Sequence, residues 1–80
     1  ILNGEYEVIE AEIIETSELI NKELKNSDLP DEIRIGAIAR GNDIIIPRSS
    51  FVFLKDDIVV FLAKRDQLPI VENMFRISSI

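Results

Sequence analysis

Two arginines flank the stretch Ile38-Ala39-Arg40-Gly41-Asn42-Asp43-Ile44-Ile45-Ile46-Pro47-Arg48. Gly41-Asn42 supplies the positive-φ residues of a tight hairpin turn, which puts Arg40 and Arg48 at the outer ends of paired strands. A guanidinium forks onto phosphate or carboxylate oxygens. The pattern therefore admits two readings. One is an anion or nucleotide pocket, with Ile or Pro packed against a base; the other is ordinary ion pairing with the acidic first half of the chain. Catalysis has little to work with. There is no His and no Cys, which removes imidazole acid–base chemistry, thiol chemistry, disulfides and zinc ribbons together. Carboxylate pairs or a Ser–Lys arrangement would remain. Asp56-Asp57 reads as a turn whose two side chains point to opposite sides, and Ser49-Ser50 has no base nearby. The glutamates near the N-terminus alternate outward along a strand, without calcium-loop spacing. The chain is not expected to be an enzyme.

The elements that must position the hairpin follow from apolar periodicity. Residues 6–14 read as a strand with Ile9, Ala11 and Ile13 on one face and Glu10 and Glu12 towards water. Thr16 and Ser17 offer caps to a short helix carrying Leu19, Ile20 and Leu24. Residues 26–31 break it, because Pro30 biases Leu29 away from helix. Ile33 to Arg40 alternates, with Ile33, Ile35, Ala37 and Ala39 on one side and Arg34, Gly36, Ile38 and Arg40 on the other. Asp43 to Arg48 returns antiparallel, ending near Pro47, which cannot donate to a ladder. Phe51 to Leu54 is short and apolar, Lys55-Asp56-Asp57 turns, and Ile58 to Ala63 is a buried strand. Residues 66–76 read as a helix with Asp66 as cap, Pro69 in the first turn and a stripe of Leu68, Val71, Met74 and Phe75. The order is strand, short helix, antiparallel strands, C-terminal helix: a small α+β domain.

Composition agrees with this reading. Ile and Val supply 20 of the 80 residues, and β-branching favours extended backbone. A single domain spanning 1–80 is expected, and its start at Ile1 suggests a piece of a longer protein. No apolar run approaches the ~20 residues of a membrane helix. Net charge is −8 over residues 1–32 and +2 over 33–80, so the domain as a whole repels phosphate backbones and no nucleic-acid partner is expected. Ordering so short a chain costs roughly 1.5 kcal/mol per residue, about what burial returns. With no disulfide or metal ligands to help, self-association is expected.

The order Ser17-Glu18-Leu19-Ile20-Asn21-Lys22-Glu23-Leu24, Leu29-Pro30, Ile35-Gly36-Ala37-Ile38-Ala39-Arg40-Gly41, Ile44-Ile45-Ile46-Pro47, Phe53-Leu54-Lys55-Asp56-Asp57 and Ile58-Val59-Val60-Phe61 resembles the TrkA C-terminal domain. That is the second lobe of the RCK (regulator of potassium conductance) module, and the likeness covers about residues 6–76. The family usually has Gly where Asn21 and Asp56 stand, and both residue types tolerate left-handed backbone. The resemblance implies a cytoplasmic homodimer following a Rossmann-like lobe, at the membrane only through a potassium transporter or channel subunit. NAD or ATP would bind that preceding lobe and no cofactor is expected in this one, which has no Gly-x-Gly-x-x-Gly. In several relatives the groove between two such lobes binds cyclic di-AMP. Ile38, Arg40, Ile45 and Pro47 match that region, which makes them the implied ligand residues. The same lobe in antiporters and other permeases implies an alternative, a ligand-free dimerisation module. A second alternative is a swapped-hairpin DNA-binding regulator resembling AbrB. Against it stand the acidic balance, the short stretch from Pro47 to Asp57, and flanking elements that such a fold does not use.

Overall fold

Alternating β-branched residues pair into a five-stranded antiparallel sheet in a computed structural model that describes residues 5–73 and 75–79, residues 76–79 through their backbone. Its strands are β1 (Tyr6–Glu12), β2 (Ile33–Arg40), β3 (Asp43–Ile45), β4 (Ile58–Lys64) and β5 (Arg76–Ser79), in the order β3-β2-β4-β1-β5. The α+β class expected from the pattern is the class observed. β4 is central because nearly all its residues are apolar. It pairs with β1 from Tyr6↔Lys64 to Glu12↔Ile58, and with β2 from Ile33↔Ala63 to Ala39↔Ile58. One face of the sheet carries Ile9, Ala11, Ile33, Ile38, Val59, Phe61 and Ala63, all buried.

That list corrects the expected alternation of β2. Ile33 and Ile38 differ in parity yet share the core face. The register steps from Ile35↔Phe61 to Ala37↔Val60, so Gly36 is an extra residue opposite the β4 ladder. A β-bulge of this kind leaves two residues facing one. Beyond it the parity reverses, and Ile38 stands opposite buried Val59. The hairpin turn forms at Gly41-Asn42, but only Gly41 has the expected positive φ, at 59°, and β3 is shorter than the predicted return strand and ends before Pro47.

The core face is covered by irregular chain. The helix expected around Leu19–Leu24 does not form. The Ser17 hydroxyl accepts from the Leu19 N–H at 3.2 Å, but Asn21 then turns left-handed at φ 67°, and only a 3-10 turn at Leu24–Asn26 follows. The Asn21, Leu24 and Lys25 N–H groups donate instead to the carbonyls of Phe53, Phe51 and Ser49 at 2.8, 2.7 and 2.9 Å. Pairing with a distant segment has displaced bonding along a helix. Leu19 and Phe53 are thereby pressed into the core. The C-terminal helix α1 (Leu68–Glu72) is shorter than the stripe predicted. It buries Val71, Phe75 follows it into the core with its ring 5.4 Å from that of Phe61, and Pro69 lies in the first turn as expected. Asp66 lies in a preceding 3-10 turn rather than at the cap, β5 was not anticipated, and Met74 lies outside the described residues.

Candidate functional site

The bulge decides what Arg40 can do. Two residues beyond Ile38, it shares the core side of β2, and its neighbour Ala39 is opposite Ile58, the first residue of β4. That brings the guanidinium to Asp57. Arg40 Nε donates to Asp57 Oδ1 and Nη2 to Oδ2, each at 2.7 Å, a forked pair of short bonds. Nη2 also donates to the Val52 carbonyl at 2.9 Å, and the Leu54 N–H donates to Asp57 Oδ2 at 2.8 Å. The guanidinium lies 4.9 Å from the Phe51 ring centroid, within cation–π range. Asp57 is 1% exposed, whereas the Arg40 side chain is 35% exposed. The hydrogen bond to Asp57 raises the Arg40 pKa above its already high ordinary value, burial opposes this, and the carboxylate charge adds to it.

This cluster is a clamp. Both charges are satisfied, and the pair ties the neck of the hairpin to the turn before β4. Asp57 is also held through its backbone, since its carbonyl accepts from the Ile13 N–H at 2.9 Å while the Asp56 N–H donates to the Ile13 carbonyl at 2.8 Å. Asp56 itself is exposed and left-handed at φ 72°. The two aspartates do point apart, but Asp57 is more than a turn residue. A sequence signal for it exists: an Asp that heads an apolar strand, with an Arg ending its predicted partner. The expected partners of the hairpin arginines were acidic residues of the first half; Arg40 instead pairs within its own half of the chain.

The other implied ligand residues scatter. Ile38 is 0% exposed and packs in the core. Ile45 is half-buried opposite it, and Arg48 is exposed beyond the end of β3. Of the four, Pro47 lines a groove of about 330 Å³. The groove runs beside the first half of β2, which β3 is too short to cover. Leu24, Leu29, Pro30, Ile33 and Ile35 supply apolar lining, while Lys25 and Arg34 supply cations and Asp28 and Asp31 anions. A mixed lining of this kind suits a ligand with a flat apolar part and a charged part. Among the described residues no three acidic side chains gather as a metal site, and no helix is long and apolar enough to cross a membrane.

Residues 8–76 match the family described as the TrkA-C domain. The Trk system potassium uptake protein TrkA of Azorhizobium caulinodans is 40% identical over 78 residues, covering 98% of this chain and 17% of that protein. A TrkA homolog of Archaeoglobus fulgidus is 36% identical over 64 residues, and TrkA of Haemophilus influenzae 34% over 67, each match covering 15% of the relative. The chain thus spans a small part of the length of these relatives.

Proposed function

The chain belongs to the TrkA-C domain family, and from that premise we propose that it is the regulatory lobe of a potassium uptake system, acting as a homodimer beneath a membrane transporter subunit. The observation that carries this is the match to TrkA across 98% of the chain. The lobe acts by differential binding: a ligand that prefers one arrangement of two lobes biases the attached transporter by that preference and no more. Nucleotide binding through a glycine-rich loop belongs to a preceding lobe of the parent protein. The ligand proposed for this lobe is a small anion with a flat ring, of which cyclic di-AMP is the first to test.

The groove beside β2 is the best-supported place for such a ligand, because it combines Pro47 and the β2 isoleucines with Lys25 at its rim. Arg40 then acts by holding the hairpin in place. For Arg40 to grip a phosphate directly, the phosphate must displace a carboxylate that accepts three hydrogen bonds.

Thermal denaturation of the 80-residue chain with cyclic di-AMP, other cyclic dinucleotides, ATP, ADP, NADH and a short DNA duplex tests the reading. A ligand at a hundred times its Kd adds about 2.7 kcal/mol, on the order of ten degrees for a domain of this size. A shift with a cyclic dinucleotide that Lys25→Glu reduces supports the groove. A shift that ignores Lys25→Glu but vanishes in Arg40→Lys moves the phosphate to the hairpin. No shift with any compound favours the ligand-free dimerisation module, and a shift with DNA alone overturns the potassium reading.

A further inference from the structure

The sheet has a second face that none of the described residues covers. Residues opposite one another in a ladder share a face, so Val8, Leu62 and Arg34 form one row, Glu10, Val60 and Ala37 the next, and Glu12, Ile58 and Ala39 a third. Ile44, opposite Ala39, extends the third row. Val8 is 48% and Ile44 71% exposed. The loops, 3-10 turns and α1 that bury the core residues pack on the other side. The open face is therefore an apolar spine of Leu62, Val60 and Ile58 on the central strand β4, ending at Lys64 beside Tyr6. It is bordered by Glu10 and Glu12 on the β1 side, with Arg76 in register beyond Glu12, and by Arg34 on the β2 side.

We propose that a second copy of this chain packs on this open face, spine to spine along β4, with Glu10 of each copy meeting Arg34 of the other. The proposal rests on the homodimer reading above and adds the surface that makes it. Symmetry favours this arrangement. In the order β3-β2-β4-β1-β5, β4 is the middle of five strands. A two-fold axis lying between the sheets and running along β4 exchanges β1 with β2. It lays Glu10 of each copy over the Arg34 border of the other, a self-complementary pairing as an isologous interface requires, while the two Lys64 residues lie together at the end of the spine, where twisted sheets splay apart. Sheets packed face to face lie within about 30° of parallel. Glu10 and Arg34 sit one row apart on the spine, within reach of an arginine. Unlike Arg40, Arg34 is exposed, so nothing has to be broken for it to pair across the interface. A partner with a uniform charge would oppose Glu10 or Arg34, whereas a second copy pairs each with the other.

Sedimentation equilibrium of the 80-residue chain tests this, with circular dichroism confirming that each variant is folded. The wild-type chain should be a dimer at about 100 µM, well above the Kd expected of such an interface. Glu10→Arg and Arg34→Glu should each raise the dimer Kd about tenfold or more by placing like charges together, and the double variant should recover most of the loss. Val60→Glu should abolish the dimer. A folded chain that stays monomeric overturns the surface and the homodimer reading together. A dimer indifferent to all these variants overturns the surface alone and leaves the dimer standing. Dimer loss in the single charge variants without recovery in the double overturns the Glu10–Arg34 pairing.

Discussion

The two halves of β2 carry one arginine each, Arg34 before Gly36 and Arg40 after it, and in a regular strand both would lie on the same face. Arg34 lies opposite Leu62 on the open face, at the corner where that face meets the groove. Arg40 lies on the core side, forked onto a buried carboxylate. Residue type and strand are the same; one extra residue in the ladder separates them. The environment of a charged strand residue thus follows its register against the neighbouring strand. Before the bulge, an arginine stays exposed to solvent. Beyond it, the same side chain holds the fold together.

That contrast can be broken by shortening the strand at two places. Deleting Ala39 lets β2 run straight by absorbing the bulge, which keeps Arg40 near Asp57 but puts Ala37 into the core position of Ile38. Urea denaturation should then show a loss of about 2–5 kcal/mol, the usual cost of an Ile-to-Ala truncation in a core. Deleting Gly36 instead removes the extra residue and leaves every other pairing intact, so the loss should be about 1 kcal/mol or less. Equal losses would mean that the bulge does not set the register. Next in size is Asp57→Ala, which strips Arg40 and the Leu54 N–H of their acceptor. It should cost about 2–4 kcal/mol in the same measurement, less than a fully buried pair because Arg40 can turn to water. Arg40→Lys keeps the charge but loses the fork, for about 1–2 kcal/mol. The matching Arg34→Lys should change the stability of the folded monomer by under about 0.5 kcal/mol. Similar values for the two lysine variants would erase the distinction between the halves.

Much of this arrangement was legible from residue types. Ile9, Ala11 and Ile13 alternate with glutamates, and only one face of β1 can be dry. Gly41-Asn42 between β-branched runs announces the hairpin. The family resemblance marked Asn21 and Asp56 as stand-ins for Gly, and both are left-handed in the structure, at φ 67° and 72°. The bulge was harder to see, because period-two reasoning carries a strand through an isolated Gly without pause, although such a Gly is itself a bulge signal. The missing helix shows a different limit. Leu19, Ile20 and Leu24 do have helical spacing, but the segment bonds to residues about thirty positions away, and local propensity is too weak to resist such pairing. By residue type Asp56-Asp57 reads as a turn, and the burial of Asp57 follows from the register of β4, which no short window reveals. The resemblance implies one cluster of ligand residues in the hairpin region. The fold puts one of them in the core, one in the clamp, one half-buried beside the core and one at the groove.

The irregular cover of the sheet has a consequence for how the domain opens. Residues 21–25 and 49–53 lie on opposite sides of the β2–β3 hairpin in sequence, yet four backbone bonds link Asn21, Lys22, Leu24 and Lys25 to Phe53, Phe51 and Ser49, and Glu23 bridges Val52. Neither segment can lift without releasing the other. In a hydrogen-exchange experiment their amides should therefore behave as one cooperative unit, with a shared opening free energy below that of the β1–β4 ladder. The part of the molecule that resembles loops most closely would then move as a single panel, hinged against a sheet that stays shut.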